Sequence, residues 1–168
     1  MGRRVGPAGL QAGKQLDESV TLLIEGGDPG KRPWHAKLAR HVLNLLRKGG
    51  CHEMKSQVVT WSERKNMATA IDILGRSKDK KTIYIIELKY SSHSLENTRR
   101  TYKLAHPATP RMRGMQLANS LYNHHQMQLR ETVRFFRAEY DLPVGTSLVT
   151  GVVVACGDGG VLFFKLKR

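Results

Sequence analysis

Three ionisable residues on two apolar stretches carry the first hint of chemistry. Asp72 lies in "MATAIDILG" (67–75), and Glu87 and Lys89 lie in "TIYIIELKY" (82–90). The second stretch runs Ile83, Tyr84, Ile85, Ile86 and Leu88, the near-continuous apolar pattern of a strand covered on both faces. Glu and Lys are almost never fully buried unless paired. Either these two neutralise each other, or the strand binds something else. Side chains alternate along a strand, so Ile83, Ile85, Glu87 and Lys89 share one face. If the two stretches form a hairpin, direct pairing of Asp72 with Glu87 centres the turn between Asp79 and Lys80. That centre falls inside the polar run 77–81, where a turn belongs. Side chains opposed in this way stand about 5 Å apart, and like charges there repel. Two carboxylates on a half-buried sheet therefore need a cation. Lys89 gives a structural salt-bridged cluster. A divalent ion, Mg²⁺ or Mn²⁺, suits the hard oxygen donors better and leaves Lys89 beside it, to hold a water or a phosphate oxygen.

The elements that must position these residues follow from periodicity. A helix is expected over 16–25, with Leu16, Val20, Leu23 and Ile24 on one side, broken by "GGDPGKRP". A second starts at Trp34, carries Leu38, Val42, Leu45 and Leu46, and ends at Gly49-Gly50. Three strands follow, over 56–61, 67–75 and 82–90. Residues 91–110 are polar and basic and read as a loop. The spacing of Met115, Ala118, Tyr122, Leu129, Val133, Phe136 and Tyr140 predicts a long helix over 111–140. "SLVTGVVVAC" and "VLFFKLKR", joined by "GDGG", close the chain as a hairpin. The order α, α, β, β, β, α, β, β predicts one α/β domain with a mixed sheet over 16–168, preceded by a basic disordered arm, 1–15.

Composition bounds the partners. The 168 residues include 28 Lys and Arg against 14 Asp and Glu, a net charge of +14. That excess attracts polyanions, nucleic acid above all. Arg99, Arg100, Lys103, Arg111 and Arg113 flank Tyr102, a combination that suits gripping phosphates and stacking a base. His124 and His125 point about 100° apart on a helix and read as packing and phosphate contact rather than a metal site. Two cysteines make neither a disulfide framework nor a zinc site, and a reducing intracellular setting, nucleus or cytoplasm, is expected, with an organelle left open. No apolar run reaches the length of a membrane span. A homodimer and a place within a larger protein are both compatible with the sequence.

Asp72 followed after 15 residues by Glu87-Leu88-Lys89 resembles the signature of the PD-(D/E)xK nuclease superfamily. That superfamily includes restriction endonucleases, phage-type exonucleases and archaeal Holliday junction resolvases. The resemblance covers residues 34–168 and implies a restriction endonuclease-like α-β-β-β-α-β core, with the Asp on the second strand and the E-x-K on the third. It implies a metal-dependent nuclease, with DNA the favoured substrate. Asp72, Glu87 and the Leu88 carbonyl would hold Mg²⁺ or Mn²⁺, Lys89 would orient the water, and Gln116 would support the site from the facing helix. Some features depart from the pattern. Ile71 replaces the usual proline, and the helix from Trp34 has no acid, which leaves Glu18, Glu25 or Glu53 to supply one. Gln116 and Tyr122 are six residues apart, where some members space Gln and Tyr by four. A non-cleaving nucleic-acid-binding module of the same fold, or a basic ribonucleoprotein component, are the alternatives.

Overall fold

In the computed structural model, residues 7–30, 33–115 and 117–166 are described. Helix α1 spans Pro7–Ile24 and α2 spans Pro33–Lys48. Strands β1 (Glu53–Ser62), β2 (Met67–Arg76) and β3 (Thr82–Ser91) follow, then α3 (Leu95–Thr101) and α4 (Leu121–Glu139). Strands β4 (Ser147–Cys156) and β5 (Val161–Lys165) complete the domain. The strands form one sheet in the order β1-β2-β3-β4-β5, antiparallel except for the β3–β4 pair. A parallel pair needs a crossover connection, and α3 and α4 supply it. The fold is α/β with a mixed five-stranded sheet, and β3 is its central strand. Among the described residues, no helix is long and apolar enough to cross a membrane.

The helices end where the glycines require. At the end of α2, the Cys51 N–H donates to Leu46 O and the Gly50 N–H to Arg47 O, with Gly50 at φ +95°. α1 closes the same way: Gly27 donates to Leu22 O and Gly26, at φ +79°, to Leu23 O. Both are Schellman caps, which need a left-handed residue that glycine adopts without strain. Ser94 and Ser120 cap the starts of α3 and α4, accepting from the Asn97 and Asn123 N–H groups. These caps satisfy donors that the first helical turn leaves orphaned.

The sheet has a core on each face. α1 and α2 lay Leu16, Val20, Leu38, Val42 and Leu46 onto Ile73, Tyr84, Ile86, Val153 and Ala155. α4 lays Leu129 and Phe136 onto Ile71, Ile85, Val152 and Val154. β3 is therefore covered on both sides, as its apolar run predicts. Three expected boundaries differ. α1 begins at Pro7, so residues 7–15 are helical and not a disordered arm; residues 1–6 lie outside the described set. A short helix, α3, interrupts the expected loop 91–110. The expected helix over 111–140 is helical only from Leu121: Arg111 and Ala118 form an isolated bridge instead, around Gly114 at φ +71°. The 3.6-residue spacing of Met115 and Ala118 was coincidental, because a glycine in the left-handed region turns the chain back before Ser120 can cap α4.

Candidate active site

The β2–β3 hairpin adopts the register that places Asp72 and Glu87 opposite each other. Ile73 pairs with Ile86, and Arg76 with Ile83. The Ser77 N–H donates to Thr82 O and Lys80 turns at φ +63°. Regular β2–β3 pairing stops at Ile73–Ile86, one step short of the acids. From there the remainder of β2 pairs only with β1.

Both strands turn over at that step. Residues two apart on a strand normally share a face, yet Ile73 packs under α1 and α2 while Ile71 packs under α4. Met54 and Val58 of β1 change faces in the same way. Between them lies Gln57 at φ +51°, across from Asp72. A left-handed conformation is strained for a residue with a side chain. The strain sits at the point where β2 leaves β3.

The departure of β2 frees backbone groups on β3, and Asp72 takes one of them. Its Oδ2 accepts the Leu88 N–H at 2.8 Å, and its Oδ1 faces the Gln57 amide nitrogen at 3.4 Å. The N–H and C=O of one strand residue lie on the same edge, so the Leu88 carbonyl faces the same gap. Glu87 is only 4% exposed. Its Oε1 lies 2.6 Å from the Lys89 Nζ. Burial raises the Asp72 carboxyl above the ordinary range, against the Leu88 N–H and Lys89, which lower it. Burial also raises Glu87, the Asp72 charge raises it further, and Lys89 opposes both.

A third acid, Asp17 on α1, lies within electrostatic reach of both. Burial pushes Asp17 up to about 6, and the Asp72 and Glu87 charges push in the same direction. None of the three acids weighed as a substitute for the missing helix acid does this. Glu53 pairs with Arg76, and Glu18 and Glu25 are exposed. Sequence reasoning missed Asp17 although its signal was present, since it lies one position after Leu16 and three before Val20 on the buried stripe of α1.

On the α4 side, the Tyr102 hydroxyl lies 2.6 Å from His125 Nδ1. Burial, then Lys89 and His124, lowers His125 to about 4, so its ring is neutral. Tyr102 is raised by burial, by Tyr122 and by Glu87. Tyr102 corrects an expectation. It is 2% exposed and stacks on Phe164, which makes it a core residue rather than a platform for a base. The basic residues around it are exposed: Arg99 and Arg100 on α3, Lys103, and Arg111 and Arg113 on the bridge loop. Lys103 lies over the Tyr122 ring, 4.9 Å from its centroid. Gln116 lies outside the described residues.

Among the described residues, no three His, Cys, Asp or Glu side chains are gathered closely enough to hold a metal ion. The donor chemistry nevertheless fits Mg²⁺, which binds through one or two carboxylates and keeps several waters. Glu87 supplies a buried carboxylate and Asp72 a half-buried one, charges that are costly without a cation, and the Leu88 carbonyl is a third hard oxygen. Comparison with protein-family models and with curated proteins finds no match for the chain.

Proposed function

We propose that this protein is a metal-dependent nuclease of the PD-(D/E)xK type, with a restriction endonuclease-like core, acting on phosphodiester bonds in DNA. The observation that carries the reading is the placement of Asp72 and Glu87 where β2 separates from β3, with Asp72 Oδ2 on the Leu88 N–H and Lys89 Nζ against Glu87. Three acids, each raised by burial and two of them raised further by a neighbouring carboxylate, are costly to keep together. Perturbed carboxylates in such a setting mark functional sites more often than chance. Mg²⁺ or Mn²⁺ held by Asp72, Glu87 and the Leu88 carbonyl would lower the pKa of a bound water and offset charge on the phosphate.

The chain's own residues do the rest. Lys89 turns from Glu87 toward the substrate and stabilises charge as the phosphate is attacked. Asp72 stays fixed through the Leu88 N–H, which orients its second oxygen. Arg99, Arg100, Lys103, Arg111 and Arg113 hold the flanking phosphates. The Glu87–Lys89 ion pair favours a second reading, a non-cleaving nucleic-acid-binding module in which that pair is structural. Incubation with labelled duplex, branched and single-stranded DNA, with Mg²⁺, Mn²⁺ or EDTA, separates the two. Metal-dependent cleavage is expected, with losses of about a hundredfold or more in Asp72→Asn and Glu87→Gln, as for other charge-stabilising groups. Binding should persist in both variants. Cleavage by both at the wild-type rate would overturn the assignment.

A further inference from the structure

Gln126 on α4 is 5% exposed, and among the described residues neither its amide nitrogen nor its amide oxygen has a hydrogen-bond partner. A buried carboxamide left without partners loses the desolvation free energy of both groups and normally does not persist. Here it lines a cavity of about 190 Å³ together with Leu117, Tyr122, Asn123, Met127 and Arg130. The cavity is smaller than the roughly 300–1,000 Å³ of sites for drug-sized ligands, so it suits one ring system.

Its walls are held in place. The Asn123 amide donates to Ala118 O at 2.8 Å, and His124 Nε2 lies 2.7 Å from Asn119 Oδ1. The Asn119 amide in turn donates to Thr109 O. These bonds fix the bridge loop over the start of α4, so ordering the cavity costs little on binding. The rim is apolar and open, with Leu117 and Met127 exposed, and Arg130 exposed beside them. An aromatic wall, an apolar rim and a carboxamide with a donor next to an acceptor match the needs of a nucleobase. Its faces are apolar, and its edge pairs a donor with an acceptor.

We propose that this cavity receives a single unpaired base of the bound nucleic acid, and that the Gln126 carboxamide hydrogen-bonds its edge. The inference rests on the nucleic-acid reading above and narrows the substrate to strands with unpaired nucleotides. The partnerless amide also fixes a sign. Replacing Gln126 by an apolar residue of similar size removes an unfavourable buried group while it removes the base contact. Stability and binding therefore move in opposite directions.

The test compares the wild type with Gln126→Leu and, as a second variant of similar shape, Gln126→Met. Fluorescence anisotropy in EDTA measures affinity for a single-stranded dodecanucleotide, for its fully abasic counterpart and for a duplex of equal length. The wild type should bind the base-bearing strand about tenfold more tightly than the abasic one, about 1.4 kcal/mol. Each variant should lose that preference, keep duplex affinity within about twofold, and melt at a higher temperature than the wild type. Equal wild-type affinity for base-bearing and abasic strands overturns the pocket and leaves the nuclease reading intact. So does a lowered melting temperature in both variants, which gives Gln126 a structural role. No wild-type binding to any of the three at low salt overturns the nucleic-acid reading itself, and the pocket with it.

Discussion

Asp17 and His125 titrate on opposite sides of the candidate site, and their effects on stability have opposite signs. Asp17 has a folded pKa of about 6, above its value in the unfolded chain near 3.8. Between those values the folded state binds more protons, so this contribution favours folding at low pH and is lost as pH rises through about 6. Asp17→Asn should stabilise the protein at pH 7, on the order of 1 kcal/mol once solvent screening is allowed for. The gain should vanish near pH 4, and denaturant midpoints at the two pH values check it. His125 is lowered to about 4 from an ordinary 6.5. Here the unfolded chain binds more protons, so the contribution is present above 6.5 and lost as pH falls toward 4. The His125 ring resonances should not move between pH 8 and 5.5; a midpoint near 6.5 for His125 would show that the Tyr102 contact does not exclude water.

At the scale of elements, the β1–β2 hairpin and α3 make different demands. Where β2 parts from β3, Gln57 is held left-handed and both strands change faces, so the hairpin beyond Asp72 belongs to the core under α4. Gly75 anchors the near end: a Cβ there would stand 2.0 Å from Cys51 Sγ. Gly75→Ala should therefore destabilise by about 1–3 kcal/mol, the range for overpacking, and Cys51→Ala in the same chain should restore part of it. Urea melts of the two variants decide. α3 and the segment after it carry Arg99, Arg100 and Lys103 at the surface, beside the site. Each neutralised phosphate contributes about 0.9 to the log–log salt slope on duplex DNA. Replacing all three with Ala should flatten that slope by about two to three units. An unchanged slope would leave α3 a solvated surface with no part in binding.

For the whole molecule, the net charge of +14 and the three acids pull in opposite directions. In the proposed reading the positive surface would draw a polyanion in, and a metal ion would relieve the repulsion that Lys89 only partly offsets among the carboxylates. A ligand that binds only the folded state stabilises it by about 2.7 kcal/mol at a hundredfold excess over its Kd. Mg²⁺ or Mn²⁺ should raise the melting temperature, and Asp72→Asn should remove most of that response. The same substitution should make the metal-free protein more stable, because it deletes one of the repelling charges. If the cluster is only a salt bridge around Lys89, metal has no effect and Asp72→Asn destabilises. Melting curves of two proteins, with and without metal, separate the cases.

Local rules in the sequence were sufficient for several features. The polar run 77–81 determined the β2–β3 register, since a one-residue slip would have set Ile73 opposite a residue that faces the other side of the sheet rather than Ile86. Glycine pairs determined where α1 and α2 end, because a Schellman cap is a short-range device. Tertiary structure decided what depends on distant neighbours. Asp17 came within electrostatic reach of Asp72, 55 residues away in the chain, only because α1 packs against β1 and β3, and no periodicity encodes that packing. Tyr102 left the surface because Phe164 and His125, far along the chain, close over it. The bridge loop won over a helix at 111–120 because its hydrogen bonds to Thr109 and Ala118 form only once the chain folds back onto α4. The two faces of β1 and β2 exchange at Gln57 and Asp72 for the same kind of reason: helical layers on both sides of the sheet claim alternate ends of one hairpin, and a pattern of period two cannot announce where that claim changes hands.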